Sequence, residues 1–109
     1  MADVEVYVLE DNGATQAWIS KRYGPLTLVE SHDSFSVFRS RGFRLTVSPH
    51  TDLDGATSYF ISGDDLPWDS DEQLAIQVHD ALSLDVAYDS GTPTGMEIIS
   101  SDGLRHIDT

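Results

Sequence analysis

The sequence predicts an α+β fold: a mainly antiparallel sheet of about six to eight short strands with two helices packed on one face. Three observations support this prediction. Apolar and polar residues alternate in several short segments, as they do in half-buried strands. Two other segments place apolar residues at helical spacing. Glycine-containing turns separate the segments at short intervals, which favours hairpins over long crossovers.

The segment 64–89 contains the best-specified element, a helix that begins after Ser70. Ser70 and Gln73 have the spacing of a capping box, in which the serine accepts from the Gln73 backbone N–H and the glutamine side chain reaches back to Ser70. Acidic residues beside the cap are favoured by the helix dipole, each by roughly 0.3–1 kcal/mol. The predicted apolar stripe consists of Leu74, Val78, Ala81 and Leu82.

The N-terminal third predicts a strand, a helix and a second strand. Residues 4–9 alternate with period two. The next helix spans residues 14–23, with Asn12 as its N-cap and Gly24 as its C-cap. Leu28 is expected to point inward from the strand that follows. The remaining chain predicts a hairpin over 34–48, a strand over 57–62, a strand over 84–88 and a final hairpin over 96–107.

Length and composition predict one compact domain over residues 1–109. The hydrophobic fraction of 39% is enough for a core. The absence of cysteine excludes disulfides and cysteine-ligated metals. The first residues lack the pattern of a signal peptide, and no apolar run has the roughly 18 residues that span a bilayer. We therefore expect a soluble, cytoplasmic protein.

Charge is the strongest global signal. Nineteen acidic and six basic residues give a net charge of −13, and residues 51–109 hold thirteen acids against one base, or −12. Nucleic acids and anionic membranes are polyanions, so this field disfavours both as direct partners. It favours a basic protein partner or a solvent of high salt concentration.

Half of the basic residues lie in the 34–48 hairpin, as Arg39, Arg41 and Arg44. With Phe38 and Phe43 nearby, this segment has the composition of a single-stranded nucleic acid reader. The preferred interpretation is that the arginines solvate the hairpin tip and neutralise acids elsewhere, because the whole chain is so acidic.

The segment 49–55 is the most metal-like part of the chain. Asp52 and Asp54 echo a calcium loop, but His50 and Ile61 stand where that loop needs its first and last oxygen ligands. An acidic turn is therefore the preferred interpretation, with no metal and no cofactor. The alternative is a metal- or ligand-binding module, or a small enzyme, that uses His50, Asp52 and Asp54, with His106 as a further ligand.

No catalytic residues are predicted. Each of the four histidines has an aspartate close by in the sequence, but fourteen aspartates make such neighbours common. Nucleophile-elbow, phosphate-loop, dinucleotide-binding and zinc-protease motifs are all missing. The protein is therefore expected to be a non-enzyme.

The leading functional prediction is a small acidic inhibitor that occludes a basic surface of a protein partner. Carboxylates on a rigid helix can imitate phosphates, and opposite fields speed association. Bacterial toxin-immunity and phage anti-defence proteins share this acidic, compact, cysteine-poor character as a class, although no family motif accompanies it. The predicted partner-binding residues are Asp64, Asp65, Leu66, Trp68, Asp69, Asp71 and Glu72.

Two alternatives remain open. Leu66 and Trp68 are the apolar anchors of the predicted surface, but a helix-entry tryptophan also packs well in a core. The acidity itself is equally a property of proteins adapted to molar salt, or of a structural subunit, for example in a virion, that assembles through exposed strand edges. The sequence leaves the partner, the strand order and the oligomeric state open.

Overall fold

The computed structural model describes residues 2–49, 55–89 and 95–108, and within them it contains eight strands and two helices. The prediction of an α+β fold with a mainly antiparallel sheet and two helices is confirmed. The elements are β1 Ala2–Leu9, α1 Ala14–Tyr23, β2 Thr27–Ser31, β3 Ser36–Ser40, β4 Phe43–Pro49, β5 Ala56–Gly63, α2 Asp71–Leu82, β6 Val86–Asp89, β7 Gly95–Ser100 and β8 Gly103–Asp108.

All eight strands form one sheet in the order β2-β3-β4-β5-β1-β6-β7-β8, and every neighbouring pair is antiparallel. The N-terminal strand β1 lies inside the sheet, because β5 pairs with it along its whole length. On its other side β6 pairs only with Tyr7 and Val8. Among the described residues, the first half of β1 therefore has a strand neighbour on one side only.

The core lies between the helices and one face of the sheet. Val4, Val6 and Val8 project from β1 into this core, as their alternation predicts. Helix α2 adds Leu74, Ala75 and Val78 to the same cluster. Glu5 and Tyr7 project to the opposite face, which we call the open face because neither helix covers it.

Helix α2 begins as predicted, with Ser70 as its N-cap. The Ser70 Oγ accepts from the Gln73 backbone N–H at 3.2 Å. The Gln73 side chain accepts from the backbone N–H of Asp69 and not from Ser70. Of the predicted apolar stripe, Ala81 is exposed, and Ala75 takes the buried position instead.

Helix α1 has the predicted bounds but a different cap. Asn12 is exposed and Gly13 is the N-cap residue, with a left-handed φ of 84°. The carboxylate of Asp11 replaces the missing cap side chain: it accepts from Gly13 N–H at 3.0 Å and from Thr15 N–H at 2.8 Å. Asp11 is itself 4% exposed, so one buried carboxylate joins the end of β1 to the helix.

Strand β2 differs most from the sequence prediction. Leu28 was expected to point inward, yet it is 55% exposed, and every residue of β2 is exposed. The physical reason is position, since β2 is the edge strand of the sheet and lies beyond the area that the helices cover. The apolar side chains of β2 therefore have no helix of the described chain to pack against.

Candidate protein-binding surface

The start of α2 lies against the uncovered half of β1. The Asp71 carboxylate accepts a hydrogen bond of 2.9 Å from the backbone N–H of Glu5. Because β6 pairs only with Tyr7 and Val8, this N–H has no strand partner on that side. An aspartate at the beginning of a helix thus satisfies a backbone donor that the sheet leaves open.

This contact gathers acids from three separate parts of the chain. Asp3 and Glu5 come from β1, and Asp89 comes from the end of β6. Their negative charges act on Asp71. Gly63, which precedes the Asp64–Asp65 pair, lies beside Ala2 in the β1–β5 register. We call the resulting region the acidic surface and define it by Asp3, Glu5, Asp64, Asp65, Asp69, Asp71, Glu72 and Asp89.

Neutral hydroxyl groups hold two of these carboxylates, Glu5 and Glu72, in place. Glu5 accepts from the Tyr7 hydroxyl at 3.1 Å and from the Ser58 hydroxyl at 2.8 Å. Glu72 accepts from the Tyr88 hydroxyl at 2.9 Å. Burial, this hydrogen bond and the charges of Glu72 and Glu97 raise the pKa of Tyr88 to about 12. The hydroxyl therefore stays protonated and remains a donor at neutral pH.

The same arrangement raises the pKa of Asp71 above its ordinary value. Burial is the largest cause, and the charges of Glu5, Asp89 and Asp3 add to it, while the hydrogen bond from Glu5 N–H acts in the opposite direction. None of Asp3, Asp64, Asp65, Asp69, Asp71 and Glu72 forms an ion pair with another described residue. Within the described chain, no lysine, arginine or histidine side chain therefore pairs with any of these six carboxylates.

The raised pKa of Asp71 predicts an unusual pH dependence. A folded pKa above the unfolded value means that stability is lost as pH rises through the interval from 3.8 to the folded pKa. Asp71→Asn keeps an oxygen for the Glu5 N–H and removes the charge. We expect this variant to melt no lower than the wild type at pH 7. We also expect its melting temperature to rise less on acidification to about pH 4.5.

The matched control for this prediction is Asp71→Ala, which removes the hydrogen bond together with the charge. It should lower stability by about 1–2 kcal/mol, because the Glu5 N–H loses its acceptor. Thermal melts of the three proteins between pH 4.5 and 7 provide the measurement. If Asp71→Asn were as destabilised as Asp71→Ala, the charge rather than the hydrogen bond would be the favourable part of the contact.

The predicted partner-binding residues separate into two groups in the structure. Asp64, Asp65, Asp69 and Glu72 are exposed, and Asp71 is half-buried at the sheet. Leu66 is half-buried and packs against the core. The acidic members therefore lie together at one end of the sheet, whereas the apolar members face inward.

Trp68 belongs to the core. It is 2% exposed, its ring lies edge-on to Tyr23 with the centroids 4.9 Å apart, and its Nε1–H donates to Gln77 at 3.0 Å. The indole presents no surface to a partner in this fold, which corrects its prediction as an apolar anchor. The reason is that the segment before α2 folds over the end of the core, as the alternative interpretation proposed.

Sequence reasoning missed Asp3, Glu5 and Asp89 as members of the surface. The alternation of β1 places Asp3 and Glu5 on its polar face, so their position on that face can be predicted from the sequence. Their contact with α2 cannot be predicted in this way, because it depends on the short pairing of β6 and on a separation of 66 positions between Glu5 and Asp71.

The alternative prediction was a metal site built from histidine and aspartate side chains. His50, Asp52 and Asp54 lie outside the described residues, as does the side chain of His106. Among the side chains that are described, no group of three or more histidines, aspartates and glutamates is arranged to hold a metal ion. In the described part of the chain, neither helix has the length and apolar character needed to cross a membrane.

Comparisons with protein-family models, with curated proteins and with solved structures found no match.

Proposed function

We propose that this protein is a non-enzymatic binding protein whose acidic surface covers a basic surface of a protein partner. The observation that carries the proposal is that Glu5, Asp71 and Glu72 accept hydrogen bonds from neutral donors, while none of the three forms an ion pair with another described residue. Tyr7, Ser58 and Tyr88 supply hydroxyl groups, and Glu5 supplies a backbone N–H. Lysine and arginine side chains of a partner are the groups that complement such an array.

Preorganisation supports a binding role. A carboxylate that is already hydrogen-bonded to the fold loses less freedom when a partner binds, so more of the interaction energy appears as affinity. The strands and the helix that carry these groups are parts of one packed core, which keeps the spacing of the charges constant. The net charge of −13 adds a long-range field that steers a basic partner towards the protein.

The partner class follows from this chemistry. A basic surface large enough to accept several carboxylates is typical of nucleases, toxins and defence-system proteins that bind nucleic acid, so inhibition by occlusion or by phosphate mimicry is the proposed outcome. The same charge argues against direct contact with nucleic acid or an anionic membrane. The proposal needs no metal or cofactor.

The experiment compares two triple variants with equal net charge. Asp64→Lys, Asp65→Lys and Asp69→Lys together change the net charge from −13 by +6 to −7. Asp33→Lys, Asp80→Lys and Asp102→Lys make the same change at exposed positions away from the acidic surface. Decalysine serves as a basic probe in stopped-flow association at low salt.

We expect the first triple variant to bind decalysine at least about tenfold more weakly than the second, because the local field at the surface reverses. Both variants should keep the wild-type circular dichroism spectrum, since all six side chains are exposed. Equal weakening in the two variants would show that net charge alone attracts the probe, and the proposed surface would then have no special role.

A further inference from the structure

A groove runs beside β2, which forms one edge of the sheet, while β8 forms the other edge. It has a volume of about 610 Å³. It is lined by Tyr23, Gly24 and Pro25, which lead from α1 towards β2, and by Thr27 and Val29 of β2. Arg39, Ser40 and Arg41 of the β3–β4 hairpin complete the lining. The groove therefore combines apolar residues with two arginines.

Two arginines of the β3–β4 hairpin lie opposite each other although their positive charges repel. Arg39 of β3 lies directly opposite Arg44 of β4 in the register. Both side chains are exposed on the open face, and like charges directly opposite across two strands are destabilising. The chain has nineteen acidic residues, yet none of the described ones forms an ion pair with Arg39, Arg41 or Arg44. An external anion would relieve this repulsion.

Strand β2 leaves its outer edge without a strand neighbour in the described chain. It pairs only with β3, and its five residues are all exposed. Leu28 is 55% exposed and Val29 is 43% exposed, so apolar side chains accompany the free backbone groups. An edge of this kind is a template for a further extended segment, which gains main-chain hydrogen bonds along the strand.

The aromatic residues of the hairpin argue against a nucleic acid at this site. Phe43 is 8% exposed, and Phe38 packs against the core from the helix-covered face. Neither of these two rings is presented beside Arg39 and Arg44, so Phe38 and Phe43 do not form a platform on which bases could stack. A polyanion would also be repelled by the −13 field over most of its length, whereas a short acidic segment can lie beside Arg39 and Arg41.

We propose that β2 and this groove bind an extended, acidic peptide segment of a partner protein. The segment adds as a strand along Thr27–Ser31, and its carboxylates lie on the groove side, where they pair with Arg39 and Arg41. Its apolar side chains alternate to the other face of the sheet, where they pack against the exposed Leu28. Charge complementarity selects the occupant, because Arg39 and Arg41 line the groove and neither forms an ion pair with another described residue. This site has the opposite sign to the acidic surface, and the register places Arg44 and Asp3 in one row on the open face, with Ser62 between them.

The test is an NMR titration of the ¹⁵N-labelled full chain with a ten-residue peptide of alternating glutamate and valine, in about 0.1 M salt. We expect amide shifts confined to β2 and to the residues from Arg39 to Arg44. The double variant Arg39→Gln with Arg41→Gln should bind at least about fivefold more weakly. Arg105→Gln, which removes an exposed base from the opposite edge strand, should bind as the wild type does.

Four results would overturn the proposal. The peptide could fail to bind, or it could bind without any effect of the double variant. Inorganic phosphate or a thymidylate decamer could reproduce the β2 shifts, which would make this a general anion site or a nucleic acid site. The same shifts could appear when the protein alone is concentrated, which would make a second copy the occupant. The decalysine experiment reports on the acidic surface and is independent of all four.

The double variant also serves as its own folding control. Removing Arg39 takes away the like charge opposite Arg44, so its melting temperature should equal or exceed that of the wild type. Weaker peptide binding by a variant that is at least as stable reports lost contacts and not lost structure.

Discussion

Replacing Trp68 with alanine should destabilise the protein by about 3–5 kcal/mol, the largest effect that we expect from a single substitution. The ring is 2% exposed and contacts Tyr23, and its Nε1–H donates to Gln77. Truncation leaves a cavity at the end of the core and removes a donor from Gln77, which also accepts from the Tyr23 hydroxyl. Urea unfolding followed by far-ultraviolet circular dichroism measures the change.

Ile76→Ala is the matched control for this substitution. Ile76 lies on the same segment of the chain, in α2, but its side chain is 43% exposed. It should cost less than about 1 kcal/mol, because little apolar area is lost on truncation. A small effect at Trp68 would contradict its place in the core and would restore the indole as a candidate contact for a partner.

Replacing Asp11 with alanine should cost about 3 kcal/mol, because one buried carboxylate serves three donors. It accepts from Gly13 N–H, from Thr15 N–H and from the Tyr59 hydroxyl. Tyr59 is 1% exposed, and Thr15 is fully buried. Each donor left without an acceptor carries a desolvation cost of about 1–3 kcal/mol, and partial relaxation keeps the sum near the lower end.

Asn12→Ala tests the same junction from the neighbouring position. Asn12 has the residue type of an N-cap but is exposed and donates only a weak contact of 3.4 Å to the Glu10 carbonyl. We expect its replacement to change stability by less than about 0.5 kcal/mol. Chemical denaturation of both variants is the measurement. A larger loss of stability in Asn12→Ala than in Asp11→Ala would identify Asn12 as the capping residue.

Local signals along the chain predicted most of the elements. The Ser70–Gln73 cap, the Gly24 stop and the glycine turn at Gly42 all act through backbone groups within a few residues, so their identity can be read from sequence. The sequence did not identify Asp11 as the capping residue, because one of its three partners, Tyr59, is 48 positions away. Local cap rules favour Asn12 equally well, and only the burial of Asp11 separates the two.

For the same reason, the sequence predicted only part of the acidic surface. The acids before and inside the first turn of α2 are visible as a run, and four of them are exposed as expected. Trp68 and Leu66 are embedded in that run, and a tryptophan among acids is consistent with either a rim or a core. Its burial depends on Tyr23 and Gln77, which reach it from α1 and α2.

By itself, the sequence determined the charge of −13, the α+β class, both helices and the polar face of β1, because these depend on composition and on contacts within one or two turns of chain. Only the tertiary structure decided which acids meet. The short pairing of β6 leaves the Glu5 N–H open, and Asp71 fills that position. The tertiary structure also decided that β2 is an edge strand. Whether a strand lies at an edge depends on the order of the strands in the sheet, and alternation along a single strand does not encode that order.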